Sequence, residues 1–132
     1  MDFILDGEIP TKKNFWKVGR NRQGTAYIYN AKKVKRWEYD NFFLLKSLYR
    51  NRPKIEGDVL LETVFYIRRD KDIDNMLGTL QDLIQKVIIY DDKQIKKVIA
   101  TKVLSPDSQR VFFKIKKYVK TRDKKSISKK SE

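Results

Sequence analysis

Between Ile73 and Val87 the apolar residues Ile73, Met76, Leu77, Leu80, Leu83, Ile84 and Val87 recur at i, i+3, i+4, i+7, i+10, i+11 and i+14. This spacing is one face of an amphipathic helix and predicts a helix over 73–87 that packs on a core. Acid lies at both of its ends. Asp70, Asp72 and Asp74 alternate at its start, and Asp91 and Asp92 follow its end. The setting is otherwise basic: the chain has a formal net charge of +14, and Arg68, Arg69 and Lys71 flank the first acidic cluster. Upstream, the run from Asp58 to Ile67 is rich in Val, Leu, Thr, Phe and Tyr. It reads as a strand apolar enough to be central in a sheet. The densest acid of the chain therefore falls at a strand-to-helix junction.

Two chemistries fit these acids. In an extended x-Asp-x-Asp segment the side chains of Asp72 and Asp74 share a face. A third carboxylate from the far end of the helix would complete an oxygen cage for a hard divalent ion, with the basic neighbours as a phosphate clamp. Alternatively, Asp72 or Asp74 caps the helix and the others favour the positive end of its dipole. Asp91-Asp92 before Lys93 is then a turn. The residues alone leave both open. The chain contains no His and no Cys. That removes imidazole and thiolate ligands and leaves oxygen donors, which favour Mg²⁺ or Mn²⁺.

The pattern Asp72-Ile-Asp74-Asn75-Met76-Leu77, the helix containing Asp82-Leu83, and Tyr90-Asp91-Asp92-Lys93-Gln94-Ile95 resemble the RusA-type Holliday junction resolvases. That family's signature is Asp-x-Asp-Asn-Leu, a helix with Asp-Ala-Leu, then a hydrophobic residue, Asp-Asp and x-Gln-Ile/Val. Ile9-Pro10-Thr11-Lys12-Lys13-Asn14 is similar to the family's Pro-x-Ser-Lys/Asn-Asn segment. The resemblance spans most of residues 4–104. It implies a dimeric, metal-dependent endodeoxyribonuclease that cuts four-way DNA junctions by paired nicks in recombination and repair. It also implies Asp72, Asp74 and Asp92 as Mg²⁺ ligands and catalytic residues, with Asp91 or Asp70 orienting a water behind them. Lys12, Lys13, Asn14, Arg20, Arg68, Arg69 and Lys71 become candidate DNA contacts. One position departs: Gly78 stands where the family carries a Lys four residues after the second Asp. Two other classes fit the residues, a non-catalytic binder of structured nucleic acid and a metal nuclease acting on other branched DNA.

The remaining chain reads as follows. At 132 residues the length suits one domain. We expect a nuclease domain over 1–119 and a disordered basic tail over 120–132. Residues 2–9 read as a first strand ended by Pro10. Residues 10–25 read as a polar loop in which Lys12, Lys13, Lys17, Arg20 and Arg22 interleave with Phe15 and Trp16. These two aromatics either stack on bases or anchor the loop in the core. Residues 26–29 read as a short strand, and Asn30 as the cap of a helix over 31–50 with an apolar face of Val34, Trp37, Leu44, Leu45 and Leu48. Lys32, Lys33, Lys35, Arg36 and Lys46 lie largely outside that face, as a solvated basic surface. Residues 95–104 and 111–119 read as strands joined into a C-terminal antiparallel hairpin around Pro106-Asp107. The expected architecture is α/β (α+β), a mixed sheet with two main helices packed on it, in a homodimer. The excess of 31 basic over 17 acidic residues is the footprint of a polyanion partner. No stretch is apolar enough to span a membrane, and no signal peptide is apparent, so a cytoplasmic protein is expected.

Overall fold

The computed structural model describes residues 1–11 and 24–119, with side chains of the first long helix described from Lys32 onward. The elements are β1 (Asp2–Asp6), α1 (Gly24–Leu48), β2 (Val59–Ile67), α2 (Ile73–Val87), a 3₁₀ turn (Asp92–Gln94), β3 (Ile95–Leu104) and β4 (Arg110–Lys117). The four strands form one mixed sheet in the order β1-β4-β2-β3. β2 pairs in parallel with β3 and antiparallel with β4, and β4 pairs antiparallel with β1.

The alternation of β2 decides where the core lies. Val59, Leu61, Thr63, Phe65 and Ile67 are all buried on one face. Phe3 and Leu5 of β1 and Val111, Phe113 and Ile115 of β4 belong to the same face by register. Against it α2 buries Met76, Leu80, Leu83, Ile84 and Val87. Burial of an aliphatic side chain contributes roughly 1.5–3 kcal/mol, so this stripe is what holds α2 to the sheet. The helix 73–87 begins and ends where the periodicity places it.

Four expectations need correction. Residues 26–29 are not a strand. They lie inside α1, which starts at Gly24, so Asn30 is a helix interior position and not a cap. A four-residue β-prone run with no partner strand yields to the helix that surrounds it. The buried face of α1 is Val34, Trp37, Asn41, Leu45 and then Tyr49 beyond its end, while Leu48 is exposed. The first strand is shorter than predicted: Gly7, at φ 80°, turns the chain after Asp6 in a conformation that favours glycine. Finally, β3 and β4 run antiparallel to one another but are not a hairpin, because β2 lies between them. β4 alternates buried and part-buried positions along most of its length, as an interior strand should. β3 carries Lys96, Lys97 and Lys102 and is exposed along most of its length, a composition that suits a sheet edge. Lys12, Lys13, Asn14, Phe15, Trp16 and Arg20, and the tail at 120–132, lie outside the described residues.

Gly78 is exposed in the interior of α2, and a Cβ added there meets nothing within 4 Å. Replacing Gly78 by Ala should stabilise the protein by about 1 kcal/mol, the helix-propensity difference between the two residues. Urea unfolding midpoints of the two proteins check this.

Candidate metal and DNA site

The central strand β2 ends at Ile67, and the five residues Arg68–Asp72 carry the chain to α2. Asp72 precedes the helix in an extended conformation (φ −67°, ψ 128°), and its side chain makes no capping hydrogen bond. Asp74 lies in the first helical turn. The two carboxylates therefore straddle a helix start and do not share a strand face. Both are exposed. Capping alone does not explain Asp72, since its carboxylate satisfies no helix amide. Asp74 stands where the helix dipole favours negative charge.

Two lysines hold this connection from opposite sides. Lys71 Nζ lies 2.8 Å from Glu8 Oε2 and donates to the Ile9 carbonyl at 2.7 Å. The Arg68 amide donates to Glu8 Oε1 at 3.0 Å. From the other side Lys102 Nζ, on β3, lies 2.7 Å from Asp70 Oδ1 and donates to the Lys71 carbonyl at 3.0 Å. The hydrogen bond from Lys102 holds the Asp70 carboxyl below the usual range. Asp70 is thus a partner of Lys102. Thr79 Oγ1 donates to the Pro10 carbonyl at 3.1 Å, tying the segment after β1 to α2. Glu8 and Lys102 were absent from the candidate set. Nothing local marks them, because each meets the site from an element remote in sequence.

The second acidic cluster is built differently. Asp91 accepts from the Lys93 amide at 2.9 Å, and the Gln94 side chain accepts from the amides of Tyr90 and Asp91. This is a reciprocal capping box around the 3₁₀ turn. The Lys93 amide, with the Asp92 carboxyl beside it, holds the Asp91 carboxyl below its ordinary value. Gln94 Nε2 also donates to the carbonyls of Ile55 and Gly57, fastening the turn to the segment before β2. For Asp91 the turn reading of the sequence is the one realised. Asp92 is exposed, and its amide donates to Gln85 Oε1 at 3.2 Å, near the C-terminal end of α2.

Asp72 and Asp92 consequently stand at opposite ends of α2, separated along its axis by about 20 Å at 1.5 Å per residue. Among the described residues no three acidic side chains are placed together to hold a metal ion. The fold brings Asp70, Asp72 and Asp74 to one end, with Arg68, Arg69, Lys71 and Lys102, and leaves Asp91 and Asp92 at the other.

The family model for endodeoxyribonuclease RusA matches residues 9–116. The chain belongs to the RusA family. It is therefore an enzyme of the endodeoxyribonuclease class, and both acidic clusters fall inside the matched region. No curated protein sequence matches the chain significantly. For this RusA-family fold the donor set suits a hard cation: Asp72 and Asp74 are solvent-facing oxygen donors, with no His or Cys to compete. Among the described residues no helix is long and apolar enough to cross a membrane.

The Glu8–Lys71 pair gives the connection a pH signature. Burial opposes ionisation of Glu8, but hydrogen bonds from Lys71 and the Arg68 amide outweigh it and leave the carboxyl below its ordinary value. A depressed carboxyl contributes stability above its unfolded pKa, about 4.3, and loses it as pH falls through the lower folded value. Wild type should accordingly lose part of its advantage over Glu8→Gln below about pH 4.3. Thermal midpoints of both proteins across pH 3–7 check the sign.

Proposed function

We propose that the protein is a Mg²⁺-dependent endodeoxyribonuclease that resolves four-way DNA junctions by paired symmetric nicks, as a homodimer, in DNA recombination and repair. The observation that carries this reading is the exposed Asp72–Asp74 pair at the end of β2, beside four basic residues, in a chain of the RusA family. Mn²⁺ would substitute by the same oxygen chemistry, and a cytoplasmic location belongs to the same proposal.

Asp72 and Asp74 would hold the metal, which, when bound, acidifies water and polarises the phosphoryl oxygen. The rest is done by the chain. The Lys71–Glu8 and Lys102–Asp70 pairs fix the backbone that presents Asp72. Arg68 and Arg69, exposed at the mouth of the connection, bind the phosphates on either side of the cut. Without His, no side chain near the acid pair has an ordinary pKa suited to general-base work at neutral pH.

Mg²⁺ holds its oxygen ligands at 2.0–2.1 Å, so Asp92 cannot reach the ion bound by Asp72 in its own chain. In a two-fold dimer that sets the start of one α2 beside the end of the other, the second copy's Asp92 would complete the set. Paired nicks need such a dimer, with one site for each of two related strands.

Three proteins test this. Asp72→Asn should cut labelled four-way junctions at least about a hundredfold more slowly in Mg²⁺, the loss seen even when outer partners of a metal are removed. It should still bind them in EDTA. Asp92→Asn should behave alike. A mixture of the two should regain cleavage as single nicks, because one site in each mixed dimer keeps both native aspartates. Undiminished cutting by Asp72→Asn would falsify the ligand assignment, and an inactive mixture would sink the shared site. Flap and linear DNA in the same assay identify a different branched substrate.

A further inference from the structure

A cleft of about 660 Å³ lies between the chain that follows β1, helix α1 and the connection after β2. Its cations come from two elements: Lys33 and Arg36 on α1, and Arg68, Arg69 and Lys71 from the connection. Its acids are Asp6, Glu8 and Asp40. Glu8 is paired with Lys71, which leaves Asp6 and Asp40 as the cleft's other carboxylates. Arg36, Arg68 and Arg69 have no carboxylate within ion-pair distance among the described residues. Trp37 also lines the cleft. It is only 7% exposed, and its indole Nε1 is buried without an acceptor among the described residues. A buried donor normally has a partner, and an anionic oxygen is one that would satisfy it. Asp72 and Asp74 do not line the cleft, but Lys71, the residue before Asp72, does.

We infer that this cleft extends the DNA contact beyond the metal site and grips the phosphodiester backbone of the strand continuing away from the cut. The inference rests on the junction-nuclease reading above. Successive phosphates of one strand advance 3.4 Å along a duplex, so a strand cut beside Asp72 enters the cleft within a few nucleotides. Arg68 and Arg69 meet its first phosphates there. Lys33 and Arg36, on the opposite wall, hold the next ones. Guanidinium groups suit this work because they bind phosphate bidentately while their charge stays fixed. The basic surface of α1, which a sequence reading assigns to solvation, thereby acquires a ligand.

The test is junction binding in EDTA as a function of salt, using the full chain and the double variant Lys33→Ala/Arg36→Ala. Each phosphate contact contributes a slope of about −0.9 to log K against log salt. The double variant should bind more weakly, with a slope shallower by about 1.8, while the Mg²⁺ concentration for half-maximal cutting at saturating junction stays at the wild-type value. Both residues are exposed, so unfolding midpoints should match; if the double variant unfolds, Arg36→Gln alone should lower the slope by about 0.9. A wild-type slope in a folded variant overturns the inference. It leaves the nuclease reading standing, since that reading is decided by cutting in Asp72→Asn. A shift in Mg²⁺ dependence without a change in slope would likewise overturn it, by placing these cations at the metal site.

Discussion

Burial of one face of α2 against the sheet fixes the geometry of everything functional in this protein. The helix must lie with Met76, Leu80, Leu83, Ile84 and Val87 on the face of β2 that carries Leu61 and Phe65. Once it does, β3 can return only in parallel beside β2, and the two acidic clusters are held apart by the full length of a rigid rod. A carboxylate pair is delivered to one end and a capped turn to the other. No local rearrangement brings them together without stripping that helix from the core. The proposal of a site shared between two copies starts from this separation and from the short bonds a small divalent ion makes with oxygen.

Around the acid pair, charge serves position more than stability. Lys71 and Lys102 grip the same short connection from the two edges of the sheet, one through Glu8 after β1 and the other through Asp70 beside β3. The exposed Lys102–Asp70 pair contributes little to folding free energy, and the half-buried Lys71–Glu8 pair contributes modestly. Their use here is geometric: each ammonium also donates to a backbone carbonyl, of Ile9 or Lys71, and so restrains the chain leading into Asp72. Arg68 and Arg69 have no such ion-pair partners among the described residues.

The basic excess of the chain takes on a direction in the fold. Lys33 and Arg36 of α1 line the same cleft as Arg68 and Arg69 of the connection. Carboxylates that approach DNA need their repulsion offset close by, and Arg68 and Arg69, which line the cleft, stand four and three residues before Asp72. Gly78, open on the outer surface of α2, adds no charge to this arrangement, so the cations near the pair come from the connection and from β3.

Local pattern was enough to read α2 to the residue, β2 as a buried central strand, and the placing of Asp72 and Asp74 at their junction. A helical period and a strand composition are properties of contiguous residues, and so is a family signature. The turn at Asp91-Asp92 was legible as well, while its capping box with Gln94 appeared only in the fold. What the sequence did not hold was adjacency. Residues 26–29 have strand composition, yet the helix through them wins because no strand stands beside them. β3 and β4 look like a hairpin, but β2 takes the place between them, since β4 can bury both of its flanks and the lysines of β3 require an edge. Glu8, Lys102 and the α1 wall of the cleft joined the site for the same reason: their partners are distant in sequence. The distance between Asp72 and Asp92 was set only when α2 packed, because a chain carries the order of its carboxylates while the core decides how far apart they stand.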